Sequence, residues 1–416
     1  MKPILIKYDG SRKTMLSSIS ISNNNMKSKQ FLLIGLLFIT ALSFAQINPL
    51  IVPANVILPK DTLIANHLLK SLNGFLSQKE SPNKENTFVL NEDLLETSIL
   101  LDEMKGIEKS VKSKDDNFYK GYLSNVVQID KSNFIIQISY IGINENTPIL
   151  NASFEILAKY IDGKFYFLSP LQRNTLSWQT KKTGNTTFHF KKELNTKVAT
   201  EYVKDVAVFD KKLNSQQDNI VWYGCNDMPE LLKNIGVLYK LEYNGRSVST
   251  FNANENKTTL LVNGTYNASF NSFDPHDLWH ERTRNAIPKN TINKPVDEGC
   301  AYLYGGSWGI TWPLILKTFK EKVANNPKSD WLSLYDGYYN FGESKEKHLI
   351  VSYLINALIV EKIEKEKGFP AVIELLSCGK YEKSNDNYFK VLEKLTGINR
   401  SNFNENIWTL IKKSGK

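Results

Sequence analysis

The stretch Pro275-His276-Asp277-Leu278-Trp279-His280 sets two imidazoles four residues apart, and Glu298 follows 18 positions after His280. On a helix His276 and His280 stand one turn apart on one face, so both reach a single metal ion, and a carboxylate from a following helix can supply a third ligand. That is the ligand set of a catalytic zinc site with one open position. Hydrolysis at such a site needs a metal to acidify water, a carboxylate to take the water's proton, and a donor to the developing oxyanion. Asp277 is the carboxylate best placed for the second task, and it is one methylene shorter than the Glu of an H-E-x-x-H motif. A bare His-x-x-x-His is common by chance, and helix capping and packing without a metal is its competing explanation. The surroundings of Glu298, Val-Asp-Glu-Gly-Cys-Ala-Tyr-Leu-Tyr, sharpen the metal reading.

The elements that must hold these residues are legible around them. Asp274 before Pro275 is helix-start chemistry, so the histidines lie in the first turns of a helix that Pro288 stops. A second helix is expected from near Val296 to Gly305-Gly306, with Glu298 in its first turn. Residues 307–311 read as a packed turn, Pro313 opens a helix over 314–325, and helices follow over 348–367, 369–378, 385–395 and 400–412, with Gly368 and Gly397 as stops. Upstream, helical spacing marks 61–76 and 94–112. β-branched and aromatic runs at 122–129, 134–141, 152–161 and 164–168 predict strands, the last two joined by Asp162-Gly163, a strong hairpin signal. A polar connector over 176–184 then leads to a strand at 186–190, a helix at 196–213, a strand at 219–224, a helix at 228–235 and strand-like text at 236–239, 246–251 and 258–262. The expectation is an α+β chain: a small N-terminal α+β domain over 46–180 and a second domain over 181–416 with a helical C-terminal part. His67 and His189 have no partner motif and are expected to be structural.

The 416 residues are of ordinary globular composition, and the formal net charge is +9. The first 45 residues hold six Lys/Arg against one acid, a surplus of five, so +4 remains for the rest. With no long basic run there, nucleic acid is not the expected partner. Met26-Lys27-Ser28-Lys29, the apolar run over 31–44 and Leu42-Ser43-Phe44-Ala45 read as a signal peptide cleaved before Gln46, which implies an exported protein, periplasmic or secreted. The apolar run is short for a bilayer span, so no stable membrane insertion is expected after cleavage. Cys225, Cys300 and Cys378 fit no metal knuckle, and buried thiols or one disulfide remain open.

At His276 to His280 and Glu298-Gly299-Cys300-Ala301 the chain resembles the gluzincin zinc metallopeptidases of the peptidase MA-like type, which pair H-E-x-x-H with W-x-x-E-G-x-A. It departs from that pattern at Asp277 and at Pro295, where the family's tryptophan would stand. The resemblance covers about residues 180–412. It implies a zincin-like domain, Zn2+ held by His276, His280 and Glu298, a peptide or protein substrate, Asp277 as general base, and Tyr353, within Ser352-Tyr353-Leu354-Ile355-Asn356, as the oxyanion donor. The alternative is a pseudo-peptidase that uses the groove to hold a peptide or glycan.

Overall fold

The computed structural model describes residues 49–414 except 216–217, 343–346 and 383, so the expected signal segment lies outside the described residues. The chain from Pro49 onward forms one compact unit. Its first part carries β1 (Leu50–Ile51), α1 (Thr62–Ser77), α2 (Leu94–Met104), β2 (Lys120–Gln128), β3 (Asn133–Asn144), β4 (Thr147–Ile161), β5 (Lys164–Leu168) and the single turn α3 (Leu171–Asn174). Asp61 caps α1 by accepting from the backbone N–H groups of Leu63 and Ile64, and the helix buries Leu68, Leu72 and Phe75. In β3, Phe134, Ile136, Ile138 and Tyr140 alternate inward and face Ala158, Ile156, Phe154 and Ala152 of β4, all buried. Asp162 and Gly163 both take positive φ in the β4–β5 turn, as the hairpin signal requires. The helix expected over 94–112 ends at Met104. Lys105 turns extended and Gly106 takes φ +65°, so the helix stops there; Ile107 still packs into the core from the turn, while Val111 is exposed.

The next elements are β6 (Gln179–Thr183), β7 (Thr186–Phe190), α4 (Thr196–Lys212), β8 (Asn219–Gly224), α5 (Met228–Ile235), β9 (Val237–Lys240), β10 (Ser249–Glu255) and β11 (Thr258–Gly264). The expected connector over 176–184 is therefore largely an edge strand: β6 pairs antiparallel with β7 and is polar because it is exposed. A five-stranded mixed sheet runs in the order β10-β11-β8-β7-β6. β9 leaves that sheet and pairs with Ala152, Ser153 and Phe154 of β4, making the first sheet six-stranded.

The remainder is helical: α6 (Pro275–Ala286), α7 (Lys294–Gly305), α8 (Trp312–Lys322), α9 (Trp331–Asp336), α10 (Val351–Lys367), α11 (Phe369–Leu376), α12 (Asp386–Thr396) and α13 (Phe403–Lys413). The α+β class with a helical C-terminal part is thus observed, and α9 is a helix the periodicity did not reveal. α10 is the central helix, with Leu354, Ile355, Leu358 and Ile359 buried among its neighbours. No helix among the described residues is long and apolar enough to cross a membrane. All three cysteines are free, Cys225 and Cys300 buried and Cys378 half-buried, so the disulfide alternative is not what the fold adopts.

Candidate metal centre

α6 begins where its chemistry dictates. The Asp274 carboxylate accepts from the His276 N–H at 2.9 Å, and Pro275 occupies the first turn, where no backbone donor is needed. Two anchors fix the helix from behind. Arg282 donates from Nε and Nη2 to the two carboxylate oxygens of Asp210 on α4, at 2.7 and 3.1 Å, with both side chains sealed from solvent. Trp279, fully buried, donates from Nε1 to Asp297 Oδ1 at 3.0 Å and so ties α6 to α7.

On this frame His276, His280 and Glu298 converge. The two Nε2 atoms are 3.2 Å apart, and Glu298 Oε2 lies 3.5 Å from one and 3.7 Å from the other. Two ligands about 2.0–2.1 Å from a tetrahedral zinc stand about 3.3 Å from one another, so the imidazole separation suits that ion. The other ring nitrogens are already engaged. His276 Nδ1 lies 2.7 Å from the carbonyl of Gly306, and His280 Nδ1 lies 2.7 Å from Asp297 Oδ2. Nδ1 donation to those acceptors leaves each Nε2 lone pair facing the shared centre, the arrangement in which an outer carboxylate or carbonyl sets the tautomer of a metal-binding histidine.

The electrostatics follow from the same contacts. Burial alone would lower the His280 pKa, but hydrogen bonding to Asp297, then to Glu298, lifts it to about 9. Burial would raise Glu298, but hydrogen bonds to His276 and His280 bring it down to about 2. His276 is opposed by burial and by His280 but is raised by Glu298 and the Gly306 carbonyl. Nε2 atoms 3.2 Å apart share one proton or one cation but cannot each carry a proton.

Asp277 stands apart from this cluster: it is exposed and lines a cavity beside α6 instead of joining the convergent set. Tyr353 is buried in an aromatic layer behind the centre. Its ring is edge-on to Tyr302 at 5.7 Å and to Tyr338 at 5.4 Å, and Tyr302 in turn lies 5.9 Å from the His276 ring. Tyr338 and Trp308 have φ values of +55° and +54°, unusual for bulky residues, and both are exposed; Trp308 donates from Nε1 to the His348 carbonyl at 3.1 Å. His67 bonds Tyr160 at 2.8 Å and His189 stacks on Tyr223 at 4.2 Å, as structural histidines do.

Sequence reasoning missed Asp297, the Gly306 carbonyl and Tyr302. Asp297 had a readable signal. It precedes Glu298 on α7, and successive helical residues point about 100° apart. One acid therefore reaches the ligand tips while the other reaches the back of His280. Comparison with protein-family models, curated proteins and solved structures gave no match.

Proposed function

We propose that this chain is an exported zinc-dependent metallopeptidase-like protein of the gluzincin type, acting on a peptide or protein substrate. One observation carries the reading: His276 and His280 aim their free Nε2 atoms, with Glu298, at a common point while Asp297 and the Gly306 carbonyl hold the rings from behind. Among the described residues this is the one group of His, Cys, Asp and Glu side chains close enough to hold a metal. Bound zinc supplies Lewis acidity, lowering the pKa of a coordinated water and polarising a carbonyl. Asp277, exposed beside His276, would be the general base, and Tyr353 on α10 would be the donor to a developing oxyanion. The exposure of Asp277 also supports a second reading, a pseudo-peptidase that keeps zinc and holds a peptide or glycan, because a carboxylate misplaced by about 1 Å costs on the order of 100-fold in rate.

Two measurements test this. The purified protein should carry about one zinc per chain, and His280→Ala should lose it, as expected of a three-ligand site. At equal zinc occupancy, Asp277→Asn should abolish turnover of a mixed peptide library. Zinc retained in full by His280→Ala would sink the site, whereas a zinc-loaded but inert wild type would leave the pseudo-peptidase.

A further inference from the structure

A cavity of about 810 Å³ opens between the β10-β11 end of the mixed sheet and the side of α6. Asp277, Glu281 and Arg284 line it from α6, one helical face round from the two histidines, and Asp274 lines it from the helix cap. Its walls include Tyr202, Trp222, Phe270 and Phe273, which form one aromatic group with ring centroids 4.9 to 5.4 Å apart. Polar groups at and just behind the floor lack hydrogen-bond partners. Glu281 Oε1 is buried without a hydrogen-bond partner, with Arg282 Nη1 behind the lining 3.7 Å away in an ion pair too long for a hydrogen bond, and the Tyr202 hydroxyl is orphaned on a residue that is 5% exposed. Buried polar atoms are nearly always satisfied, so orphans gathered at a cavity mark where a ligand or ordered water completes the network.

Building on the peptidase reading above, we propose that this cavity receives a lysine or arginine side chain of the peptide adjoining the scissile bond, and that Glu281 is the residue that selects it. The aliphatic stem packs between the aromatic walls, and the cationic head gains Glu281 at the floor and Asp277 along the way. The lining carries three carboxylates against one exposed guanidinium, Arg284, and Arg282 behind Glu281 is already matched by Asp210, so the balance is negative. A cation beside aromatic faces and a partly desolvated carboxylate is stabilised on both counts. The position suits the chemistry, since Asp277 borders the cavity and directly follows the ligand His276, while Glu281 lies one turn deeper along the same helix. A four-carbon stem spans that turn, whose pitch is about 5.4 Å.

The test compares peptides that differ only in lysine or norleucine at each position flanking the cut. Norleucine keeps the stem and drops the charge. Zinc-loaded wild type should favour lysine at one position by about 10-fold or more in kcat/KM, the discrimination expected of a charged hydrogen bond. Glu281→Gln should bring the ratio close to one while retaining zinc content, which checks that the helix is intact. Hydrolysis without any basic preference, or an undiminished ratio in Glu281→Gln, overturns the selection but leaves the peptidase reading standing. If wild type cleaves no peptide, that reading fails separately. The same lysine and norleucine peptides are then compared by fluorescence anisotropy, and equal binding by the zinc-loaded protein overturns the cavity assignment.

Discussion

Asp297 shows how much of a candidate metal site is set by a residue outside its ligand set. It accepts from His280 at one oxygen and from Trp279 at the other, so one buried carboxylate orients a ligand ring and pins the helix that carries it. Asp297→Asn keeps the shape and removes the charge, and it should weaken zinc binding by about 10- to 100-fold in a chelator competition. An unchanged affinity would mean that His280 is oriented by packing alone. The same contacts predict a pH signature for the metal-free protein. The His280 pKa stands at about 9 in the fold against about 6.5 for an ordinary histidine, so its pairing stabilises the fold in full below about pH 6.5 and ceases to do so as pH rises through about 9. Glu298, lowered to about 2, works in the opposite direction: its contribution is present above about pH 4.5 and is lost as pH falls through about 2. The melting temperature of chelator-treated protein should therefore fall between pH 6.5 and 9.5. The increase on adding zinc should grow over that interval, because metal displaces a proton from His280 at low pH but not at high pH. His280→Ala should flatten both slopes. Equal slopes in wild type and variant would assign them to other groups.

Among the elements, α7 must approach α6 and α10 at once, and glycine permits it. A Cβ on Gly299 would lie 2.7 Å from Asn356 Cβ and 2.8 Å from the Ala357 nitrogen on α10, with backbone among the clashing atoms. Gly299→Ala should force the two helices apart, costing about 1–3 kcal/mol of stability as overpacking does. Because Glu298 is the adjacent residue, zinc affinity should fall with it. A melting curve and a zinc titration check both, and loss of stability with unaltered affinity would separate the helix contact from the ligand geometry. This level also shows what the sequence could and could not say. Asp274-Pro275, Pro288 and the glycines after α7 and α10 placed the site helices closely because capping and stopping are local chemistry. Asp162-Gly163 placed a hairpin for the same reason. What escaped was non-local. The exposed edge strand β6 has no apolar alternation to betray it, and α9 is too short to show a period. The pairing of Asp297 with His280 depends on the angle between two helices that no single segment encodes. Tyr353 was placed on the right helix, but its burial among Tyr302 and Tyr338 is a tertiary fact.

Across the whole molecule the two sheets are joined by more than the chain. β9, from the second half, pairs with β4 in the first sheet, and the core beneath that sheet takes in Tyr223, Leu231, Ile235, Val237 and Val262 beside Phe134, Ile136 and Phe154. The other core gathers α4, α6, α7 and the C-terminal helices around the site. β8 and β11 serve both: Trp222 and Leu261 face the site core, while Tyr223, Leu260 and Val262 face the other. Alternate residues of a strand point to opposite faces, so one sheet forms the wall between the cores. A fragment of residues 181–416 keeps every candidate ligand but uncovers one face of that sheet together with β9 and α5. Apolar surface stripped of its partner costs about 25 cal/mol for each Å², and eight buried side chains of that core from 223–262 alone would be laid open. The fragment should therefore aggregate or melt well below the full chain and bind zinc weakly. Chelator-treated full-length protein should unfold in a single transition by circular dichroism and by intrinsic fluorescence together. A monomeric 181–416 fragment with native melting temperature and full zinc affinity would show instead that the site core stands alone and that β9 is an adornment of the first sheet.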